Sequence, residues 1–173
     1  MSINVSPLQL QDPGFCRVLE KAVASADISF ADIEIEIIER QQVDGSIDAV
    51  LGRLRQLGVK VAVDDFGTGY SSLANLARYP LDAVKIDQSF IRAMLDNVVA
   101  RSIVAAIFAI AAELNLKVIA EGVETVAQEN HLRQLGCLLA QGFVYARPLS
   151  ATVLSHLFSQ TSGNICRRSI RAL

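Results

Sequence analysis

Residues 59–69 read Val59-Lys60-Val61-Ala62-Val63-Asp64-Asp65-Phe66-Gly67-Thr68-Gly69. The apolar run Val59–Val63 predicts a strand of a parallel sheet that is covered on both faces. Two aspartates follow it, and adjacent carboxylates at the tip of a buried strand are unfavourable unless a cation or hydrogen bonds compensate them. A two-metal phosphoryl site needs such a pair, and a turn in which Asp65 caps the loop through a backbone hydrogen bond is the alternative.

The glycines after this strand indicate a special loop. Gly67 and Gly69 permit backbone conformations that other residues avoid, which favours a mobile loop over a site. A helix-entry turn capped by Ser71 or Ser72 explains the same residues equally well.

Five other short apolar runs flank this strand, and longer amphipathic segments separate them. The runs are Ile3–Val5, Ile33–Ile38, Ala83–Ile86, Lys117–Ala120 and Leu138–Val144. Helices are predicted at Phe15–Ala26, Gly45–Leu57, Ser71–Tyr79, Val98–Leu114, Thr125–Leu135 and Ala151–Phe158. This alternation is typical of a parallel α/β fold, either a TIM-type (β/α)8 barrel or a doubly wound open sheet. The sequence lacks a GxGxxG or Walker loop, which counts against the common nucleotide-binding forms of the open sheet.

The composition indicates a globular protein and argues against nucleic-acid-binding, disulfide-rich and membrane-spanning classes. The chain has 173 residues, 51% hydrophobic and 20% charged, which indicates one globular domain. Its formal net charge of −2 argues against binding polymeric nucleic acid. Cys16, Cys137 and Cys166 are odd in number and lack a CxxC spacing, so we expect neither disulfides nor a zinc knuckle, and a reducing, cytoplasmic location. The apolar stretch Ile103–Ala112 is too short for a membrane span and predicts a helix packed on a sheet.

Polar residues lie within or just after each predicted strand, mostly toward its carboxyl end. They are Asn4, Glu36, Asp64, Asp65, Lys85, Asp87, Glu121, Glu124 and Gln141. In a parallel barrel these strand ends meet on one face, so the side chains are expected to share one site. Carboxylate and amide oxygens favour Mg²⁺ or Mn²⁺ over structural zinc. His131 and His156 lie in predicted helices, and we interpret them as surface or packing residues.

Four of these segments carry a family pattern in their order and spacing. They are Val63–Leu73, Lys85–Asp87, Ala120–Thr125 and Gln141–Phe143. Together they resemble the EAL-domain cyclic di-GMP phosphodiesterases, and the resemblance runs from about Ile3 to Phe158. It implies a modified (β/α)8 barrel that hydrolyses cyclic di-GMP to the linear dinucleotide pGpG with two divalent metal ions.

The resemblance also implies roles for individual residues. The implied metal ligands are Asn4, Glu36, Asp64, Asp65 and Glu121. Asp64 would bridge the ions, and Glu121 would also act as general base. Lys85 and Gln141 would order the attacking water or its ligands, and Asp87 would lie near a guanine. Glu124 would support the metal shell, and Glu39 would hold the glycine loop in place.

The chain departs from the family pattern in two respects. Ile38 stands where the family usually has threonine, which is expected to perturb the loop more than the metals. The Glu-Ala-Leu segment occurs nowhere in the 173 residues. We therefore expect an N-terminally truncated EAL domain at residues 1–159, an incomplete barrel of about six parallel strand–helix units, and a disordered tail at residues 160–173.

The incomplete barrel bears on function. Loss of a carboxylate ligand predicts impaired hydrolysis, because small positioning errors strongly reduce rates. The alternatives are an inactive module that binds cyclic di-GMP or another protein, and a fragment without a separate role. Uncovered strand edges favour pairing with another chain, so a homodimer that covers the gap is expected.

Overall fold

The computed structural model describes residues 1–38, 47–68, 76 and 78–160. For residues 157–160 it describes the backbone alone. Its strands are β1 (Ser2–Val5), β2 (Glu34–Ile38), β3 (Lys60–Phe66), β4 (Ala83–Ile86), β5 (Lys117–Ala120) and β6 (Leu139–Ala140). Its helices are α1 (Pro7–Leu10), α2 (Phe15–Ala26), α3 (Asp48–Leu57), α4 (Gln88–Ala93), α5 (Val98–Glu113), α6 (Val126–Gln134) and α7 (Ala151–Gln160), with a 3₁₀ turn at Phe30–Asp32. The strands form one sheet in chain order.

The first of two compact units comprises residues 1–85 and 111–117. Its strands β1, β2 and β3 pair in parallel. Consecutive side chains of β2 and β3 are buried, at Ile35–Ile37 and at Val61 and Ala62, so both faces of these strands are covered there. Leu51 and Leu54 of α3 belong to the same apolar core. Gly58 ends α3 with φ of 86°, a conformation that glycine adopts without strain, and the chain turns directly into β3.

The second unit comprises residues 86–110 and 118–173. Residues 98–110 of α5 belong to it. The start of α5 is capped by the Asn97 side chain, which accepts hydrogen bonds from two backbone amides. Val104 and Ile107 of α5 are buried, and the helix predicted at Ile103–Ala112 is present. Among the described residues, no helix is long and apolar enough to cross a membrane.

Several predicted boundaries differ from the structure. The predicted strand Leu138–Val144 is regular only at Leu139–Ala140, because Gly142 then lies directly against the backbone of Val123. A Cβ atom on Gly142 would be 2.1 Å from the Val123 carbonyl oxygen. The short helix α4 was not predicted.

The termini of other predicted elements fall near gaps in the description. In the described residues α3 begins at Asp48, and most of the predicted helix Ser71–Tyr79 lies outside them. Helix α7 continues through Gln160, one residue into the predicted tail, and residues 161–173 lie outside the described part of the chain.

Candidate functional site

Strand register places three of the predicted site residues on one face of the first unit. Asn4 pairs with Glu36, and Glu36 pairs with Ala62, two residues before Asp64. Side chains two residues apart on a strand point to the same face, and so do those of register partners. Asn4, Glu36 and Asp64 therefore project from the same side of β1, β2 and β3.

The ammonium group of Lys85 joins two of these strands. Its Nζ atom lies 2.8 Å from Glu36 Oε2 and 3.2 Å from Asp64 Oδ1. The side chains of Lys85 and Glu36 are each only 7% exposed, and that of Asp64 is 15% exposed. Charges so far from solvent need compensation, and each partner supplies it for the other. The sequence analysis assigned Lys85, Glu36 and Asp64 to one site, but it did not predict that Lys85 forms ion pairs with the two carboxylates.

The two adjacent aspartates form a tight turn at the end of β3. The backbone N–H of Asp65 donates to Asp64 Oδ1 at 3.0 Å, and Asp65 has a left-handed backbone with φ of 56°. The Asp65 carbonyl accepts a hydrogen bond of 2.9 Å from the Thr68 hydroxyl. The structure thus contains a hydrogen-bonded turn at these residues, and the other predicted capping residues, Ser71 and Ser72, lie outside the described part of the chain.

The same turn also brings carboxylates together. A carboxylate oxygen of Asp64 and one of Asp65 lie within 4.8 Å of each other. Glu36 and Asp64 lie beside the ammonium group of Lys85, and Asp65 lies beside Asp64, so in this described group three carboxylates accompany one ammonium. Such a set of hard oxygen donors fits a divalent cation such as Mg²⁺ or Mn²⁺.

In the second unit, Glu121 and Gln141 form a hydrogen-bonded pair at the ends of β5 and β6. Gln141 Nε2 donates to Glu121 Oε1 at 2.6 Å. The backbone positions both residues, because the Glu121 N–H donates to the Ile86 carbonyl and the Gln141 N–H to the Ala120 carbonyl. One carboxylate oxygen of Glu121 is thereby held in a defined direction.

Asp87 and Glu124 make contacts that the sequence did not predict. Asp87 caps α4, where its Oδ1 accepts the Ser89 N–H at 2.9 Å and also the Ser89 hydroxyl. Glu124 Oε1 accepts hydrogen bonds from Nε and Nη2 of Arg92 at 3.2 and 2.7 Å. The sequence analysis did not identify Arg92 as a partner of Glu124. The capping role of Asp87 could have been identified, because aspartate is a common residue at the start of a helix. Glu39 lies outside the described residues.

A cavity of about 380 Å³ lies beside these contacts within the second unit. Its lining includes Arg92, Glu124, Gln141, Phe143 and Arg147. The Arg147 guanidinium carbon lies 4.9 Å from the centre of the Phe143 ring, a cation–π contact. The cavity therefore combines an aromatic face with charged groups.

Burial perturbs two weak acids of the second unit. It raises the pKa of the Cys137 thiol to about 11, and two backbone hydrogen bonds only partly oppose this shift. Burial, and then the negative charge of Glu129, raise the pKa of Tyr145 to about 12. Both groups are therefore neutral at physiological pH. His131 and His156 lie in α6 and α7.

The sequence model of the EAL domain matches residues 1–148. The chain belongs to the EAL domain family. Cyclic di-GMP phosphodiesterase PdeR of Escherichia coli is 38% identical over 92% of this chain, and cyclic di-GMP phosphodiesterase NbdA of Pseudomonas aeruginosa is 46% identical over 89%. The chain spans 24% of PdeR and 20% of NbdA.

Solved structures show the same fold. The PaMucR phosphodiesterase in complex with c-di-GMP is 38% identical and has a TM-score of 0.82, covering 88% of this EAL chain and 63% of that chain. BlrP1 of Klebsiella pneumoniae, solved with manganese and cyclic di-GMP, is 33% identical, with a TM-score of 0.79 and coverage of 85% and 38%. The predicted α/β fold, an incomplete EAL barrel with six parallel strands, is confirmed.

Proposed function

We propose that the EAL domain formed with these residues binds cyclic di-GMP and hydrolyses it to pGpG with Mg²⁺ or Mn²⁺. The observation that carries the proposal is the buried group of Glu36, Asp64 and Lys85, with Asp65 beside it. Its carboxylates outnumber its ammonium group and supply the oxygen ligands that these ions prefer. The names of PdeR and NbdA and the ligand of PaMucR support the substrate.

The metal ligands in this proposal are Asn4, Glu36, Asp64, Asp65 and Glu121. When bound, the ions would lower the pKa of the attacking water and offset negative charge on the phosphate oxygens. The turn at Asp64 and Asp65 places two carboxylates side by side, which suits a pair of ions that share one ligand.

Other side chains orient the reacting groups in this proposal. Glu121 takes the proton of the attacking water on its carboxylate, which Gln141 orients by its hydrogen bond to Oε1. The water oxygen forms a bond to phosphorus, the ester bond to the 3′ oxygen breaks, and the released 3′ oxygen takes up a proton from solvent to become a hydroxyl. Lys85 adds a fixed positive charge that opposes the charge developing on the phosphate.

The remaining roles concern binding and support. Asp87 contacts a guanine at the start of α4, and Glu124 supports the metal shell from the loop after β5. Glu39, which lies outside the described residues, would hold the glycine loop in this proposal. The 173 residues contain no Glu-Ala-Leu segment, and hydrolysis by these residues alone is therefore expected to be impaired.

The test is turnover of cyclic di-GMP by the purified chain with Mg²⁺ or Mn²⁺, followed by separation of pGpG. Asp64→Ala should abolish product, because it removes a carboxylate next to Lys85. Asp48→Ala is the matched control, since Asp48 is an exposed aspartate that pairs with Arg78 on the surface. It should leave turnover unchanged.

Binding in Ca²⁺ is measured in parallel, because it separates the two functions. Metal-dependent pGpG formation that is lost only in Asp64→Ala supports the phosphodiesterase. Cyclic di-GMP binding without turnover refutes hydrolysis by these residues and supports the inactive binding module. Absence of both contradicts the proposed substrate.

We also propose that the chain forms a homodimer and acts in the cytoplasm. Strand β1 stands at one end of the strand order, and Met1, Leu8 and Val18 of the same unit are largely exposed. An uncovered strand edge with exposed apolar side chains favours association. In the described part of the chain, Cys16 and Cys137 form no disulfide, which suits a reducing compartment. Light scattering that shows a folded monomer at micromolar concentration would refute the dimer.

A further inference from the structure

Gln128 lies buried near the start of α6, and its side chain holds the loop that follows β5. It is only 6% exposed. Its Oε1 atom accepts the backbone N–H groups of Glu124 at 2.8 Å and of Thr125 at 3.0 Å. Its own N–H donates to the Thr125 hydroxyl at 3.2 Å. One side-chain oxygen therefore satisfies two backbone donors that would otherwise lose their partner.

The loop held in this way begins at Glu121, and it is constrained on both sides of Val123. The Val123 side chain is fully buried. Its backbone N–H donates to the Gln141 carbonyl, and its carbonyl accepts from Val144. The backbone between Glu121 and Glu124 is thus hydrogen-bonded to the segment that carries Gln141.

Gly122 lets this loop pack closely on a neighbouring helix, because it carries no side chain. It has a left-handed backbone with φ of 67°, and a Cβ atom at this position would lie 2.5 Å from Gln88 Cβ. The backbone therefore packs closely on the start of α4. Glu124 is only three residues from Glu121, and the segment between them is held at Val123 and by Gln128, so we expect a shift of the Glu124 backbone to reach Glu121.

We propose that Gln128 is a positioning residue that fixes the carboxylate of Glu121. The inference rests on the proposed function, in which Glu121 is the general base and a metal ligand. Loss of the Gln128 oxygen leaves the N–H groups of Glu124 and Thr125 unpaired, and the loop relaxes to restore their hydrogen bonds. The Glu121 carboxylate then moves relative to Gln141, and a misplacement of about 1 Å is enough to cost about a hundredfold in rate.

The test compares three variants of the full chain. Gln128→Leu removes the acceptor at similar volume. Gln128→Glu keeps an oxygen at the same distance along the side chain and should rescue. Asn97→Ala is the matched control, because the Asn97 oxygen also accepts two amides, from Val99 at 2.8 Å and Ala100 at 3.1 Å, at the start of a helix outside the site.

The first readout is the split between kcat and KM for cyclic di-GMP hydrolysis. Gln128→Leu should lower kcat by about tenfold to a hundredfold and leave KM within about twofold, because the base moves while substrate contacts stay. Gln128→Glu should recover most of kcat, and Asn97→Ala should keep the original value. Unchanged kcat in Gln128→Leu would overturn the proposal.

Two further readouts do not depend on turnover. Amide hydrogen exchange at Glu124 and Thr125 should accelerate in Gln128→Leu. Affinity for Mn²⁺ alone should weaken by about tenfold or more, because groups that orient a metal ligand commonly have that effect. If Gln128→Leu does not fold, Gln128→Asn takes its place, since its shorter side chain withdraws the oxygen by about one C–C bond.

These readouts separate the two proposals. A chain that hydrolyses no cyclic di-GMP refutes the proposed function, and Mn²⁺ affinity then decides the role of Gln128. Equal Mn²⁺ affinity in the Gln128→Leu and unsubstituted proteins would overturn the positioning role. Weaker affinity together with faster exchange at Glu124 and Thr125 would sustain it.

Discussion

Replacement of Lys85 by methionine tests the charge balance of the first unit. The substitution keeps a long unbranched side chain and removes the ammonium group that lies 2.8 Å from Glu36 and 3.2 Å from Asp64. Both carboxylates remain in place, with side-chain exposures of 7% and 15%. Without Lys85 they lose their shared counter-charge.

The magnitude follows from the distances. At an effective dielectric constant of about 20, charges 2.8 Å and 3.2 Å apart attract by about 6 and about 5 kcal/mol. Most of this attraction offsets the desolvation of the three groups, so their net contribution to the free energy of unfolding is small. Removal of one partner, however, leaves the others desolvated and uncompensated, which typically costs about 3–5 kcal/mol. A domain stabilised by about 5–15 kcal/mol can still fold after that loss.

The assay is urea unfolding in the presence of a chelator, with Arg53→Met as the control. Arg53 makes an ion pair of similar length with Glu20, but these side chains are 52% and 37% exposed. That substitution should cost less than about 1 kcal/mol, because solvent screens the pair. Lys85→Met should cost several times more. A loss for Lys85→Met that equals the loss for Arg53→Met would refute the reasoning.

Two further predictions concern the second unit. Gly142→Ala should lower the free energy of unfolding by about 3 kcal/mol, because its Cβ would overlap the Val123 carbonyl. Gly52→Ala in α3 is the control and should not be destabilising in the same urea titration, because an added Cβ there meets no described atom within 4 Å beyond its chain neighbours and its own helix backbone. Stability should also fall as pH rises from about 9 toward 11, because burial raises the pKa of the Cys137 thiol to about 11 and the unfolded chain then loses its proton first. Cys137→Ala should reduce that decline; an identical decline in this variant would contradict the assignment to Cys137.

The central strands were predictable because their sequence signal is local. The apolar residues of Val59–Val63 by themselves predict a buried strand, and the structure has β3 at Lys60–Phe66. The carboxyl ends of parallel strands are a general location for sites, so Glu36, Asp64 and Lys85 could be assigned to a common region. The resemblance then supplied the chemistry, and the family match confirmed the family.

The individual contacts were not predictable in the same way. Lys85 and Glu36 are separated by 49 positions, and only the strand register and side-chain directions decide that they touch. Strand β6 is short because Gly142 packs on Val123, a contact that no local pattern shows. Helix α4 is only six residues long, and its cap, Asp87, was interpreted as a ligand-binding residue.

The position of Lys85 affects how the chain folds when no metal ion is bound. A domain that gathers carboxylates without an internal counter-ion, as many small metalloproteins do, depends on the metal in order to fold. Here the chain carries its own positive charge at the end of a long side chain, between the two acidic strands. If the proposed function holds, folding can therefore precede metal binding, and the metal-free chain would accumulate in folded form rather than as a substrate for proteases.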